Sequence, residues 1–222
     1  MNFLGIFDVI GPNMIGPSSS HTAGAVSMAL LARKMCPSQI IKVTFTLYGS
    51  FSKTYHGHGT DRALLGGILG FSTDDARIRD SFEWAKKRNV KYEYIIDEKT
   101  QTEHPNTADI DIQCIDGYHL SIRGTSIGGG KIKIVRINNI DVEFTGEYST
   151  LIVKQIDKPG VVAHITQCLS HHEVNIAFMR LFREEKGATA YTIVESDETI
   201  PDQILKEMRE NKYVHELMLI QV

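Results

Sequence analysis

Residues 149–170 read STLIVKQIDKPGVVAHITQCLS, and this stretch decides the fold of the second half of the chain. Residues 149–155 are rich in β-branched and apolar side chains, which predicts a strand. Residues 157–160 contain Pro-Gly, a turn signal. Apolar residues then recur at helical spacing over residues 161–170, which predicts a helix.

The pattern continues with two strands, a helix and a last strand. We predict strand 174–182, strand 188–195 after a turn, helix 201–211 and strand 214–222. The resulting order βαββαβ is the ferredoxin-like arrangement. It closes in roughly 75 residues, a size that suits a small domain. We therefore expect a ferredoxin-like domain over residues 147–222 and a separate first domain over residues 1–146.

The first domain is expected to be α+β with a largely antiparallel or mixed sheet. Val43, Phe45 and Leu47 alternate with polar residues, which is typical of a half-buried strand. Asp116-Gly117 and Asn138-Asn139 are hairpin-turn signals. The predicted elements are helix 23–35, strand 40–48, a helix opened by Thr60-Asp61, a helix opened by Asp74-Asp75, and strands 90–96, 109–115, 118–123, 131–137 and 140–145.

The composition restricts the class of protein. The chain has 222 residues, 42% of them hydrophobic, and a formal net charge of −3, so it can bury real cores and is not a disordered chain. No basic run stands out, which argues against nucleic acid as a partner. The N-terminal segment lacks the cationic lead of a signal peptide, and no apolar run is long enough to cross a bilayer. We expect a cytoplasmic protein with no membrane partner.

The three cysteines, Cys36, Cys114 and Cys168, are far apart and form no C-x-x-C pair. Three thiolates could in principle hold an iron–sulfur cluster. However, Cys114 falls on the apolar face of a predicted strand and Cys168 on that of a predicted helix, which favours core packing. A dispersed, odd number of cysteines also fits a reducing compartment. We expect no cluster on this chain alone and no metal ligands.

Residues 16–22 read GPSSSHT and precede the predicted helix 23–35. The unpaired N–H groups and the dipole of a helix N-terminus suit a carboxylate or phosphate. Serine hydroxyls add donors, and His21 can carry a proton near neutral pH. The alternative is an ordinary helix cap after a Gly-Pro turn. Three consecutive serines followed by histidine favour an anion site.

Residues 55–62 read YHGHGTDR, and His58 again precedes a predicted helix start. The glycines on both sides of His58 allow a ligand to approach the backbone closely. His56 and His58 could bind a metal, but no third ligand lies at a zinc-site spacing. Two interpretations of this segment remain. It either supplies a catalytic acid or base, or it is a solvated histidine-rich loop.

Two further polar segments are EHPNT at residues 103–107 and GTSIGGGK at residues 124–131. The first is a turn rich in hydrogen-bonding side chains. The second invites comparison with a P-loop, but Thr125 and Ile132 stand where that motif needs glycine and a hydroxyl residue, and a strand follows it. The second segment is left as a glycine-rich hinge or a loop that touches a ligand.

Five segments, taken in order, resemble the beta subunit of the bacterial iron–sulfur L-serine dehydratase family. They are Phe7-Asp8 and residues 16–22, 57–61, 104–107 and 126–130. The C-terminal domain resembles an ACT domain, a small amino-acid-sensing module. The resemblance covers essentially the whole chain, and the ordered set of motifs is far more specific than any one of them.

The resemblance implies a lyase that converts L-serine to pyruvate and ammonia without pyridoxal phosphate. It implies a 4Fe-4S cluster on an alpha subunit, where an exposed iron acts as Lewis acid on the leaving hydroxyl. It also implies an allosteric-substrate-binding-like fold for the first domain, as in some phosphoglycerate dehydrogenases. Because single-chain family members carry an alpha region that this sequence lacks, we expect an alpha subunit as partner. We also expect homodimer contact through the ACT domain.

Within that resemblance we assign roles to residues. His58 is expected to remove the Cα proton of L-serine, since a histidine pKa of about 6.5 suits neutral operation. His21 is expected to handle a second proton or to orient the substrate, and the two assignments could be exchanged. The residues expected to bind substrate or line the partner-facing mouth are Ser18, Ser19, Ser20, Thr22, Asn106, Thr107, Ser126 and Gly128.

In the ACT-like domain we expect L-serine or another amino acid to bind at the helix start, between two such domains. The residues expected to contact this effector are Asp157, Gly160, Val161, Asn175 and Ile176. The alternative for this domain is dimerisation without a ligand. For the whole chain, the rival function is an amino-acid sensor, which needs no proton-transfer histidine. A serine hydrolase would need a Gly-x-Ser-x-Gly elbow, which the sequence lacks.

Overall fold

The computed structural model describes residues 13–221, so the predicted Phe7-Asp8 motif lies outside the described residues. The chain divides into two compact units, with the boundary between Asn138 and Asn139. The predicted domain boundary after residue 146 lies a little further along the chain than this division. No helix within residues 13–221 is long and apolar enough to cross a membrane.

The first unit combines a mixed sheet with helices, as predicted. Its helical elements are a π turn at Ser19–Ala23, α1 at Gly24–Lys34, α2 at Gly49–Thr54, α3 at Thr60–Ile68, a 3₁₀ turn at Ala76–Asp80 and α4 at Ser81–Lys87. The strands are β1 at Ile40–Tyr48, β2 at Lys91–Asp97, β3 at Thr107–Cys114, β4 at His119–Gly128, β5 at Lys131–Ile137 and, past the boundary, β6 at Ile140–Phe144.

The five strands of the first unit form one sheet in the order β2-β1-β3-β4-β5. β1 and β2 are parallel, whereas the β1–β3, β3–β4 and β4–β5 pairs are antiparallel. Val43, Phe45 and Leu47 are fully buried, which confirms the alternation read from the sequence. α1 packs against α3 and against β4 and β5. Gly24, at the start of α1, lies against Ser126 near the end of β4.

Two helix starts differ from the prediction. The first helix begins with the π turn at Ser19 and not at residue 23, because Ser18 acts as the cap and its side chain accepts the His21 N–H. Ser19, Ser20 and His21 therefore belong to the first turn. α3 is capped by Gly59, whose φ of +66° places it in the left-handed region, and Thr60 is the first helical residue.

The predicted glycine-rich loop at residues 124–130 is largely a strand. β4 continues through Gly128, and Thr125 and Ser126 pair with Lys133 and Ile132 of β5. Only Gly129 and Gly130 form the turn, both with positive φ.

The second unit has the predicted ferredoxin-like order. Its elements after β6 are β7 at Ser149–Ile156, α5 at Val161–His171, β8 at Phe178–Arg183, β9 at Thr189–Ser196, α6 at Gln203–Met208 and β10 at Val214–Ile220. The sheet order is β10-β7-β9-β8, with antiparallel neighbours. Its core is built from α5, α6 and the sheet and includes Leu151, Ile165 and Cys168.

One prediction in this unit is wrong. β8 begins at Phe178 and not at residue 174, so Asn175 and Ile176 precede the strand in irregular backbone. The reason lies at the end of α5, where Glu173 adopts a φ of +56°. Val174 then donates its N–H to the Leu169 carbonyl. This turn ends the helix and takes in Val174, the residue at which the strand was predicted to begin.

Candidate active site

His21 is held by serine hydroxyls at both ring nitrogens. Ser18 Oγ accepts the His21 backbone N–H at 3.1 Å and caps the π turn. The imidazole Nδ1 lies 3.3 Å from Ser18 Oγ and 3.1 Å from Ser20 Oγ. The imidazole Nε2 lies 2.9 Å from Ser50 Oγ. Both nitrogens of His21 are therefore engaged in hydrogen bonds.

His58 lies beside His21 and is bound differently. The two ring centroids are 4.7 Å apart, with the planes at 62° in an edge-to-face arrangement. Thr22 Oγ1 donates to the His58 carbonyl at 2.9 Å, which ties the π turn to the loop before α3. The His58 Nδ1 is buried and has no hydrogen-bond partner. The fold thus brings together the two histidines that the sequence singled out. It leaves the Nδ1 of His58 without a hydrogen-bond partner.

The surroundings of His21 disfavour its charged form. Burial is the main cause that lowers the pKa of His21 below 6.5, and the neighbouring His58 lowers it further. A neutral imidazole keeps a nitrogen that can accept a proton. The surroundings therefore favour a neutral His21 ring at neutral pH.

The loop at residues 104–107 joins the site through the turn after β1. Ser50 donates its N–H to the Pro105 carbonyl at 2.7 Å. Gly49 has a φ of +55°, and a Cβ there would stand 2.5 Å from the Pro105 oxygen, so only glycine permits this approach. Asn106, the next residue, has a buried Oδ1 without a hydrogen-bond partner.

Ser126 lies against the start of α1. Its N–H donates to the Asn106 carbonyl at 2.9 Å, and a Cβ on Gly24 would collide with its side chain. The Ser126 Oγ is fully buried and has no partner. Gly128 ends the same strand, but a side chain there would meet open space, so Gly128 does not pack against this cluster.

Two further predicted binding residues, Thr107 and Ser19, make hydrogen bonds within the chain. Thr107 Oγ1 donates to the His104 carbonyl at 2.6 Å and is fully buried. The Ser19 carbonyl accepts the Gly24 N–H inside the helical start. Both residues therefore hold the backbone of the site in place.

A cavity of about 600 Å³ opens beside His58. Its lining includes Thr22, His58, Arg62 and Arg79. A volume of this order falls in the range of small-molecule sites in proteins. Asp61 also lines the cavity, which therefore has charged residues of both signs.

The sequence interpretation missed two contacts of this site. Ser50 was not identified, and its only local signal is a Gly-Ser pair directly after the predicted strand 40–48. The pairing of His56 with Asp61 was also missed. The exposed His56 places Nδ1 2.8 Å from Oδ2 of the buried Asp61, which fastens the loop that carries His58 to the first turn of α3.

The cysteines pack as predicted. Cys114 and Cys168 are buried and all three thiols are free. Burial raises the pKa of Cys36 and raises that of Cys168 to about 11, so these two thiols stay protonated at neutral pH. No three His, Cys, Asp or Glu side chains in the described part of the chain are placed to hold a metal ion. Within residues 13–221, Cys36 and Cys168 are therefore thiols and not the thiolates that hold an iron–sulfur cluster.

The residues predicted to bind an effector surround the start of α5. Gly160 caps the helix with a φ of +89°, and Val161 is buried. Asp157 Oδ2 accepts from Arg183 Nη1 at 3.0 Å and from the Gly187 N–H at 3.2 Å. The bond from Gly187, followed by that from Arg183, lowers the pKa of Asp157. Asp157 thus connects its loop to the β8–β9 turn by hydrogen bonds.

Comparison with known proteins identifies both units. The family model described as serine dehydratase beta chain matches residues 5–136, and that of the ACT domain matches residues 149–212. The L-serine dehydratase, beta chain, of Peptoniphilus asaccharolyticus is 41% identical over 198 residues, 89% of each chain. The probable L-serine dehydratase, beta chain, of Bacillus subtilis is 38% identical over 208 residues, 94% of each chain. A D-3-phosphoglycerate dehydrogenase of Methanocaldococcus jannaschii is 26% identical over 137 residues, 61% of this chain and 25% of that protein.

Proposed function

Since the chain belongs to the serine dehydratase beta-chain family and carries an ACT domain, we propose that it is the beta subunit of an L-serine dehydratase. The reaction would convert L-serine to pyruvate and ammonia. The observation that carries this proposal is the His21–His58 pair. Hydroxyls hold the His21 ring, and His58 lines a cavity of a size suited to a small molecule. A module that only sensed amino acids would have no need of two adjacent imidazoles.

The two histidines differ in what they can do. Removal of the Cα proton requires a nitrogen that is free to accept it. His21 has hydroxyls at both nitrogens, whereas the His58 Nδ1 has no partner. We assign proton removal to His58, and to His21 the orientation of the substrate and of the His58 ring.

Polar atoms that are buried without a partner support a ligand site. An unpaired buried polar atom costs about 1–3 kcal/mol unless a ligand or water pairs with it. Asn106 Oδ1 and Ser126 Oγ are two such atoms, and both belong to the segments around the histidine pair. In this proposal Asn106 Oδ1 accepts from the substrate ammonium group. One of the Ser18 and Ser20 hydroxyls donates to the substrate carboxylate while the other donates to His21 Nδ1.

We place the 4Fe-4S cluster and its cysteine ligands on an alpha subunit. The raised thiol pKa values of Cys36 and Cys168 support that assignment, as do the beta-chain names of its relatives. The alpha subunit would cover the histidine pair, so that the two chains share one active site.

The test is His58→Ala in the purified two-subunit complex, assayed without oxygen for pyruvate formation. We expect turnover to fall by roughly 10²-fold or more, the usual scale of general acid–base catalysis, with assembly unchanged. His119→Ala is the matched control, since His119 is exposed at the start of β4 and does not line the cavity beside His58. Turnover close to that of the wild type in His58→Ala would remove His58 from the mechanism.

The rival function, an amino-acid sensor without catalysis, has the ACT domain in its favour. Anaerobic purification from the native host separates the two. An iron-containing complex that makes pyruvate, together with an inactive, iron-free isolated chain, would support the shared active site. An iron-free chain with no partner and no turnover would favour the sensor.

We further propose that L-serine or another amino acid regulates the enzyme through the second unit, at a homodimer interface near Gly160 and Val161. The capped start of α5 provides backbone N–H groups for a carboxylate. Calorimetry on the full chain should register binding that Gly160→Val weakens, since valine strains the φ of +89°. If no amino acid gives heat, the ACT domain serves dimerisation alone.

A further inference from the structure

Ser50 contacts the π turn, the loop at residues 104–107 and the end of α2, although it belongs to none of the sequence motifs. Its Oγ is 2.9 Å from His21 Nε2, and its N–H donates to the Pro105 carbonyl at 2.7 Å. Its carbonyl accepts from Thr54 Oγ1 at 2.8 Å. With its hydroxyl, N–H and carbonyl all bonded, Ser50 has a fixed position relative to His21.

The hydroxyls on the other side of the ring decide where the ring proton sits. Ser18 Oγ already accepts the His21 backbone N–H, so its own proton needs an acceptor. Ser18 Oγ and Ser20 Oγ are 3.4 Å apart, and both lie within 3.3 Å of His21 Nδ1. A hydroxyl proton directed at Nδ1 makes that nitrogen the acceptor, and the proton of the neutral ring then resides on Nε2.

In this tautomer the Nε2–H of His21 donates to Ser50 Oγ at 2.9 Å, a normal distance for such a bond. We propose that Ser50 is a positioning residue that holds His21 as the Nε2–H tautomer and fixes the angle of its ring against His58. The tautomer assignment stands on the geometry alone, and its effect on turnover rests on the proposed function.

Removing the Ser50 hydroxyl has two consequences. The Nε2–H loses its acceptor, so the preference for one tautomer weakens. The protonated ring loses a hydrogen bond that favours the charged form, so the pKa of His21 falls further. The Ser18 and Ser20 hydroxyls remain, so the ring stays tethered at one nitrogen only.

The experiment uses the full chain with ¹⁵N-labelled histidine, and NMR reports the nitrogen shifts and titration of His21. We expect the wild type to show the Nε2–H tautomer, and Ser50→Ala to show a mixture of tautomers with a lower pKa. Ser52→Ala is the control, because its hydroxyl lies on the same helix but donates to the Gly49 carbonyl at 2.7 Å. Ser50→Thr keeps a hydroxyl and should restore the wild-type spectrum.

The same variants are then assayed as the two-subunit complex. We expect kcat of Ser50→Ala to fall roughly tenfold with KM little changed, the kind of loss that a misplaced group produces. Wild-type nitrogen shifts and titration in Ser50→Ala would overturn the positioning role. Altered shifts with normal turnover would leave that role intact and would instead remove His21 from the proposed mechanism. If Ser50→Ala does not fold, Ser50→Cys, a weak hydrogen-bond partner, gives the same readout.

Discussion

Burial determines whether the His21 ring is protonated, and its hydrogen bonds determine which ring nitrogen carries the proton. Burial lowers the pKa of His21 from 6.5, so the unfolded chain takes up this proton at a higher pH than the folded chain. The stability that depends on a neutral ring is therefore complete above pH 6.5 and is lost as the pH falls through the lowered pKa. Between about pH 7.5 and about pH 5.5 we expect the wild type to lose more free energy of unfolding than His21→Gln. Urea denaturation measures both, and equal losses would contradict the shift.

The site shows which residues a sequence can and cannot reveal. His21 and His58 stand out because serines or glycines surround them in the chain. Ser50 does not, because it meets His21 across a separation of 29 residues. Only the fold, which places the end of β1 beside the π turn, creates that contact. No pattern of neighbouring residues encodes it.

The pKa of Glu195 in β9 is shifted upwards, whereas that of His21 is shifted downwards. Its Oε2 is 3.2 Å from Arg180 Nη1, its Oε1 is buried without a partner, and burial raises its pKa above 4.5. The stability linked to a neutral Glu195 is therefore present below pH 4.5 and is lost as the pH rises through the raised pKa. Glu195→Gln should remove this loss.

The measurement compares the free energy of unfolding of Glu195→Gln and wild type at about pH 4 and about pH 7. We expect the difference to move in favour of the variant at the higher pH. A difference that does not change with pH would mean that Glu195 does not titrate abnormally.

Among the elements, the crossing of α1 and α3 depends on one glycine. A Cβ on Gly67 would stand 2.5 Å from the Val26 carbonyl oxygen and 2.8 Å from the Leu30 nitrogen, both backbone atoms that cannot rotate away. Gly67→Ala should therefore force the helices apart and lower the free energy of unfolding by about 1–3 kcal/mol.

Gly66→Ala is the matched control for this crossing. It lies in the same helix, but its Cβ would meet side-chain atoms of Ser81 and Ile78 at 3.1 and 3.2 Å, which can give way. We expect a clearly smaller loss in chemical denaturation. Equal losses for both variants would mean that helix propensity, and not the crossing, decides the effect.

The elements also show the limits of sequence patterns. The strands of the sheet in the first unit were predictable, because burial of alternate residues such as Val43, Phe45 and Leu47 leaves a period of two. The start of the first helix was not, because Ser18, Ser19 and Ser20 are chemically equivalent as caps. Only the bond from His21 to Ser18 selects one of them.

In the molecule as a whole, each of the two units is compact by itself. Ile165 is fully buried in the core of the second unit, and Leu64 is fully buried in α3 of the first. A buried Leu or Ile truncated to Ala typically loses about 2–5 kcal/mol. If the units are energetically separate, each substitution should weaken only its own unit.

We therefore expect Ile165→Ala to lower hydrogen-exchange protection in residues 139–221 while the nitrogen shifts and titration of His21 stay those of the wild type. Leu64→Ala should do the reverse, lowering protection on the N-terminal side of Asn139 and disturbing His21, because α3 follows directly on the His58 loop. Loss of protection in both units from either substitution would contradict this separation. In that case, binding of an amino acid to the ACT domain would change the stability of the first unit and so affect the histidines. If the units are separate, such binding affects the histidines only through the assembly with the alpha subunit.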